Sequence, residues 1–386
     1  MSKTRAVDIT LCPGRVIYSI CPNRSAYPAD QIHFLERTRM SHTMKALVKT
    51  ERQAGLTLMP RDIPVIGPDD VLIKVRATSI CGTDLHIYNW DTWSQGRVKT
   101  VPLIQGHEIC GDIVEVGRKV TERKVGDFVS CESHIVNYNG EYYKRNLGHV
   151  APETKIIGVD RDGSFAEYIA MPWQNGWVNP PDMPTEVAVL RENFGNAIHT
   201  AFAADVVDKT VLITGCGPVG LMTLLAVRGR GAKTVICSDI SDYRRKFAER
   251  LGADYTNNPR ENDLVQLVKH VTHNEGVDVL LEMSGAATAI QQGFSLVRYA
   301  GDVVAFGLPT RPIEFDIANS VIFKGITVHG IVGRKMWSTW EHSDDLLLNK
   351  AVDLSPIVTH QYKLEEFDKA FATMESGESG KVMMWV

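Results

Sequence analysis

Two periods of hydrophobic alternation run along the chain, and the change from one to the other divides it. From Met44 the runs KALVKT, DVLIKVRATSI, GDIVEVG, VGDFVSCES and SFAEYIAM are short, rich in β-branched residues and cut by Gly, Pro and Asp. That pattern predicts strands and tight turns of an all-β module. From about residue 195, apolar strands alternate with segments of helical length: TVLITG, a helix from Pro218, TVICSD, a helix over YRRKFAERLGA, then VDVLLEMSG, GDVVAFGL and GITVHGI. Such alternation predicts an α/β domain, a doubly wound parallel sheet with helices on both faces. The last stretch, LEEFDKAFATMESGESGKVMMWV, reads as a helix and then a strand that returns to the first module. The expected organisation is an extension over 1–43, a β module over 44–194, a parallel-sheet domain over 195–335 and a return segment over 336–386.

Composition narrows the function classes. A chain of 386 residues has room for two domains. Its formal net charge of -4 gives no broad attraction to nucleic acid or to an anionic membrane, so a small-molecule substrate is the expectation. Seven cysteines, at 12, 21, 81, 110, 131, 216 and 237, form no CxxC pair and do not suggest a secreted disulfide framework. No apolar run reaches the roughly 18 residues of a membrane helix, and a cytoplasmic location is expected. Residues 1–43 carry Lys3, Arg5, Arg15, Arg24, Arg37 and Arg39 against Asp8, Asp30 and Glu36, and read as an appendage whose Cys12 and Cys21 are too isolated for a metal site.

The segment TVLITGCGPVGLM places Gly215, Gly217 and Gly220 in GxGxxG spacing after an apolar strand and at the start of a helix. Gly215 permits the tight turn, Gly217 lets backbone approach a pyrophosphate, and Gly220 allows helix and strand to pack closely. The next strand ends at Asp239, close to the interval expected for the acid that accepts hydrogen bonds from an adenosine ribose. A carboxylate there repels a 2′-phosphate, which favours NAD over NADP. Arg244 and Arg245 follow on a helix, where either could brace the ribose; for Arg245 a solvated helix face is the expectation.

SICGTDLHI offers Cys81, Thr83 and His86, and GHEICGDIVEVG offers His107 and Glu108. Thiolate, imidazole and carboxylate from separate loops form the mixed donor set of a catalytic zinc. A lone Cys or His is more often a core residue, so the combination carries the reading. Neighbours in extended chain point to opposite faces, so His107 and Glu108 can meet one ion only if the backbone turns, which Gly106 and Gly111 would permit.

The motifs CGTDLHIYNWDTWSQ, GHEICGDIVEVG, GSFAEYIAMP, ENFGNAIHTA, LEMSGA, VIFKGITVHGIVGRKMWSTW and SGESGKVMMWV together resemble the zinc-dependent medium-chain dehydrogenase family, from about Met44 to the C-terminus. HIYNWDTW, NFGNAIHT and GRKMWSTW resemble its threonine-oxidising branch. The resemblance implies a mostly-β GroES-like catalytic domain beside a Rossmann domain. It implies one catalytic zinc held by Cys81, His107 and Glu108, with Glu192 ligating or lying beside the metal, and a proton relay through Thr83 and His86. It also implies a cofactor site at Val219, Asp239 and Arg244, with Phe306, Gly307, Leu308, Ile331 and Val332 lining the nicotinamide side. His134 falls either near the substrate or at an ordinary strand end. The implied activity is oxidation of L-threonine to 2-amino-3-ketobutyrate with NAD, in a homotetramer. A polyol, a vicinal diol or another β-hydroxy amino acid is the alternative substrate, and a non-catalytic NAD-binding protein is the alternative of another class.

The sequence departs from the family at a lobe that usually holds a structural zinc on four cysteines. Here it reads NYNGEYYKRNLGHVA, with Asn137, Gly140, Tyr143 and Ala151 at the cysteine positions and His149 as the one metal-type side chain. A closed tetrahedral site needs four ligands, so no structural zinc is expected, and Tyr138, Tyr142 and Tyr143 are expected to pack the lobe if it is held.

Overall fold

A computed structural model describes residues 43–386. The appendage and its Cys12 and Cys21 lie outside the described residues.

The first half folds around a seven-stranded sheet. Its long central strand, Asp70–Ser79, pairs antiparallel with Glu108–Val116 on one side and with the C-terminal strand Lys381–Trp385 on the other. Val358–Lys363 lies parallel to Lys381–Trp385, and Phe128–Cys131 and Gly176–Val178 extend the opposite edge. The chain end thus completes a sheet begun some 300 residues earlier. Period-2 alternation is weak because several strands are buried on both faces. Val71, Ile73, Ile109, Val129 and Met171 pack one layer, while Met44, Leu47, Phe165, Phe371 and Met384 pack another.

The half predicted as all-β also contains the helix Gly82–Asn89, which carries Thr83, Asp84 and His86. Its buried residues are only Asp84 and Ile87, so no apolar stripe of helical period announces it. Asp84 accepts from the Cys81 N–H at 2.9 Å and starts the helix.

The second half is the predicted parallel sheet. Its six strands lie in the order Tyr255–Asn257, Thr234–Ser238, Thr210–Thr214, Val277–Glu282, Val297–Ala305, Thr327–Gly330, all parallel. The order reverses between Thr210–Thr214 and Val277–Glu282, where loops at the carboxyl ends part and leave a crevice. The central strands read as continuous apolar runs because helices cover both faces. No helix among the described residues is long and apolar enough to cross a membrane.

Candidate active site

Strand register builds the donor cluster. Ser79 stands opposite Glu108 and Met383 opposite Ser79, so one end of the sheet collects Glu108, Ser79 and Lys381. Gly106 has φ +91°, and a Cβ there would lie 2.2 Å from the Phe165 ring; the chain turns at this glycine before the strand that begins at Glu108. Gly111 does not make that turn. It lies within the strand, where a Cβ would meet the Lys74 carbonyl at 2.2 Å, next to a register shift between Val75 and Ala77.

The result brings together a Cys81 sulfur, a His107 ring nitrogen and a Glu108 oxygen, all within 4.8 Å of one another. His107 and Glu108 are buried, and Cys81 is half-buried. Burial alone would lower the His107 pKa, but Asp84 and Cys81 outweigh it and hold the imidazole well above its ordinary value. His107 Nδ1 lies 3.4 Å from Asp84 Oδ1, and neither atom has a good hydrogen-bond partner. Nδ1 facing a carboxylate leaves Nε2 as the nitrogen that could be offered to a metal ion. Asp84 was not singled out in the sequence. The signal was its position three residues after Cys81 in CGTD, where it caps a helix and reaches the second ligand.

Glu108 is more constrained than the expected ligand set suggests. Lys381 Nζ donates to both carboxylate oxygens, Oε2 at 2.6 Å, and Ser79 Oγ donates to Oε2. Burial alone would lower the Lys381 pKa, but Glu108 holds it above its ordinary value. Nothing local in GKVMMWV marks Lys381, which comes to the site only when the last strand pairs.

Glu192, on the helix Arg191–Ala201, is 2% exposed. Its Oε1 accepts from Ser133 Oγ at 2.7 Å and forms an ion pair with Arg334 Nη1 at 2.8 Å, whereas its buried Oε2 has no hydrogen-bond partner. It stands outside the tight trio of donors, but the next residue, Asn193, brings Nδ2 to 4.0 Å from the Cys81 sulfur. His134 is buried at the end of a strand; its Nδ1 lies 3.0 Å from Glu132 Oε1 and 2.6 Å from Arg334 Nη2. Thr83 and His86 lie on one helix, and no hydrogen bond joins them. His86 Nδ1 pairs with Asp91 Oδ2 at 2.5 Å, and the His86 side chain is 53% exposed.

These residues fit a cation. The buried Glu108 faces Lys381 and the buried Glu132 and Glu192 face Arg334, while the buried Asp84 lies beside His107; Asp84 Oδ1 and Glu192 Oε2 remain without donors. Sulfur, imidazole nitrogen and carboxylate oxygen are zinc donors. In the lobe, Tyr138 and Tyr143 pack edge to face with centroids 5.1 Å apart, but Tyr142 is 40% exposed and does not join them, contrary to expectation.

At the glycine-rich turn Gly215 makes the tight turn and Gly220 the close packing expected of them. Gly215 has φ +92°, and a Cβ there would press on Ser284. A Cβ on Gly220 would sit 2.0 Å from the Gly215 carbonyl, so helix and strand meet at contact distance. Gly217, the N-cap of Pro218–Arg230, faces open space, with nothing within 4 Å of a Cβ. Asp239 is buried; its Oδ2 accepts from Cys216 N–H at 2.7 Å and its Oδ1 from Ser241 N–H at 2.8 Å. Each oxygen keeps a lone pair for a further donor. Arg244 Nη1 lies 4.0 Å from Asp239 Oδ2. Arg245 corrects the solvated-face expectation: it is buried, donating to the Asp239 carbonyl at 2.7 Å and pairing with Asp242.

Across the crevice, Phe306, Gly307 and Leu308 follow the strand Val297–Ala305, and Ile331 and Val332 follow Thr327–Gly330. Ile331 is buried, while Leu308 and Val332 are exposed, and Val219 is half-buried at the start of its helix. Glu282, also missed in the sequence, binds these loops together. Its carboxylate accepts from the Ser284 N–H at 2.9 Å and from the Gly285 N–H, and its carbonyl accepts from the N–H groups of Phe306 and Gly307 at 2.9 Å.

Known proteins resemble this chain over most of its length. Residues 67–182 match the alcohol dehydrogenase GroES-like domain, and residues 218–349 match the zinc-binding dehydrogenase domain. The L-threonine 3-dehydrogenase of Symbiobacterium thermophilum is 49% identical over 352 residues, covering 89% of this chain and 98% of that protein. That of Thermococcus kodakarensis is 46% identical, covering 90% and 99%. Among solved structures, 2R,3R-butanediol dehydrogenase from Bacillus subtilis superposes with a TM-score of 0.80 at 25% identity, covering 89% of this chain and 99% of that one.

Proposed function

Since this chain belongs to the zinc-containing L-threonine 3-dehydrogenase family, we propose that it oxidises the C3 hydroxyl of L-threonine to 2-amino-3-ketobutyrate, with NAD accepting the hydride. The observation that carries this reading is the meeting of Cys81, His107 and Glu108 within 4.8 Å, in a chain whose other half forms a dinucleotide crevice.

Cys81 and His107 would hold the zinc, with Glu108 or Glu192 as a further oxygen donor. A zinc ion there supplies Lewis acidity, which lowers the pKa of an alcohol toward neutrality. The residues do the rest. Asp84 orients His107 through Nδ1, and Lys381 with Ser79 restrains Glu108. Lys381 holds Glu108 by both oxygens, whereas Glu192 keeps one oxygen without a donor, so Glu192 is the acid better placed to exchange with substrate. Thr83 and His86 pass the hydroxyl proton outward. What supports this is that they share one helix capped by Cys81, and that the His86 imidazole, paired with Asp91, is exposed to water. Gly217 and the helix N-terminus would receive the pyrophosphate, and Asp239 with Arg244 the adenosine ribose, which favours NAD over NADP. Phe306, Gly307, Leu308, Ile331 and Val332 would line the nicotinamide side, braced by Glu282. Held so, hydride donor and acceptor carbons are brought into line.

The same proposal holds that the lobe over 137–151 takes no second metal, since it offers no cysteine and only His149 and Glu141 as donors, short of the four a closed site needs. It also holds that the protein is a cytoplasmic homotetramer. What supports association is the outer edge of Thr327–Gly330, which ends its sheet beside exposed Val328, Ile322 and Phe323.

A substrate panel tests the function: threonine, 2,3-butanediol and sorbitol, each with NAD and NADP, followed at the NADH absorbance, with metal analysis alongside. Threonine with NAD should be fastest, with about one zinc per chain. Faster turnover of butanediol would move the assignment to the activity of the B. subtilis relative, and a chain without zinc would support a non-catalytic NAD-binding protein.

A further inference from the structure

The buried Arg334 guanidinium joins both sides of the site. Its Nε donates to Glu132 Oε2 at 2.9 Å, its Nη2 to Glu132 Oε1 at 2.5 Å and to Ser133 Oγ at 2.8 Å, and its Nη1 lies 2.8 Å from Glu192 Oε1. Two carboxylates outweigh the burial that would lower its pKa and hold it above the ordinary arginine value. Arg334 therefore restrains Glu192 by one oxygen and leaves Oε2 without a donor. Its position depends on the turn over residues 333–337, whose Gly333 carbonyl lies 2.9 Å from His199 Nδ1 and whose Lys335 and Trp337 carbonyls accept from the first N–H groups of the helix Ser338–Leu348.

That turn is pinned from outside by the lobe. Trp337 Nε1 donates to Tyr143 Oη at 2.9 Å. Tyr143 packs edge to face on Tyr138, whose hydroxyl donates to Asn175 Oδ1 at 2.6 Å; Asn175 Nδ2 in turn donates to the Glu132 and His134 carbonyls. Trp177 stacks on both Trp337 and Trp340, and Trp340 Nε1 donates to Glu132 Oε2 at 2.9 Å. A closed circuit therefore runs from the lobe through Trp337 to Arg334 and back through Asn175 to Glu132.

We propose that Tyr143 and Trp337 are positioning residues whose hydrogen bond latches the lobe to the turn carrying Arg334, and so sets how Arg334 holds Glu192. This rests on the reading of Glu192 as the acid beside the metal. Neither latch side chain hydrogen-bonds to Cys81, His107, Glu108 or Glu192, and the latch acts through the register of Arg334.

Trp337→Phe, Tyr143→Phe and the double variant test it, with Tyr142→Phe as the exposed control. Two quantities are read on the metal-loaded protein: hydrogen exchange of amides 144–151, and the rate at which a chelator strips the metal. Each single variant should exchange about fivefold faster in the lobe, the cost of one hydrogen bond. Each should also release metal several-fold faster, in the range of the roughly tenfold effect of changing a residue that orients a metal ligand, and the double variant should do no more than Trp337→Phe, which removes the same bond together with its stack on Trp177. Tyr142→Phe should match the wild type. The latch is overturned if the single variants match the wild type in either quantity, if their effects add, or if Tyr142→Phe does the same. Wild type that binds no metal would overturn the function proposal and the latch together, whereas metal-binding, threonine-oxidising wild type beside inert variants would remove the latch alone.

Discussion

At the dinucleotide turn the binding surface is backbone: Gly215, Gly217, Gly220 and a helix N-terminus follow one another in a short stretch of chain. At the candidate metal cluster the surface is side chain: Cys81, the neighbouring His107 and Glu108, Glu192 and Lys381 come from four separate stretches of chain and are assembled by sheet register and helix packing. The first region depends on absence of bulk: a Cβ at Gly215 or Gly220 would collide with the protein's own backbone, and Gly217 leaves open space at the helix start. The second depends on electrical balance, so each ligand needs a partner held in place by a residue distant in sequence. Mutations should therefore fail differently in the two regions, by sterics in one and by charge and ligation in the other.

The largest effect is expected at the cluster. Cys81→Ser should lose the metal and lower kcat on the order of a thousandfold, the value of several kcal/mol of Lewis-acid assistance. NADH binding, followed by fluorescence titration, should hardly change; a loss there would mean that the two regions are not separable.

At the turn, Gly220→Ala and Gly217→Ala should part company. The Cβ at 220 would lie 2.0 Å from the Gly215 carbonyl, so Gly220→Ala should destabilise the fold by about 1–3 kcal/mol of overpacking and weaken NADH binding with it. Gly217→Ala meets nothing within 4 Å; thermal melting should stay as in the wild type while NADH affinity drops about tenfold, because the methyl group stands where the pyrophosphate approaches. Equal melting losses for both would refute the steric account.

A smaller effect follows at Asp239, where side chain and backbone meet. Asp239→Asn removes the charge that accepts ribose hydroxyls, and NAD affinity should fall about tenfold, while NADP falls less or improves. The ratio of kcat/KM for the two cofactors measures it.

The smallest is a pH effect in the lobe. Burial first, then His199 and Lys335, lower the His149 pKa from 6.5 to about 4. The unfolded chain therefore binds the proton first as pH falls below about 6.5, and His149 costs stability progressively down to about pH 4. His149→Phe keeps a ring against His199, whose centroid is 5.4 Å away. It should raise Tm by about 2–4 °C at pH 5 and leave it nearly unchanged at pH 7.5. A gain of the same size at both pH values would point to packing instead of titration.

Legibility followed the same division. The parallel strands, the glycine turn and Asp239 were readable because each is a local pattern: an apolar run, a spacing, a strand end. Cys81, His107 and Glu108 were readable as residue types in short motifs, and the structure brings their ligating atoms together. The helix Gly82–Asn89 was not, since its buried residues form no stripe. Arg245 was misread because a helix position alone does not show that its guanidinium folds back onto the Asp239 carbonyl.

The order of residues alone determined which segments form strands, where a backbone must bend without a side chain, and which chemical types of ligand are present, because these follow from local sterics and periodicity. Tertiary structure alone decided that Lys381 restrains Glu108, that Arg334 is shared between Glu132 and Glu192, and that Trp337 reaches Tyr143. A buried charge takes its partner from whichever element the sheet register and helix packing set beside it, and that choice is made across hundreds of residues of chain.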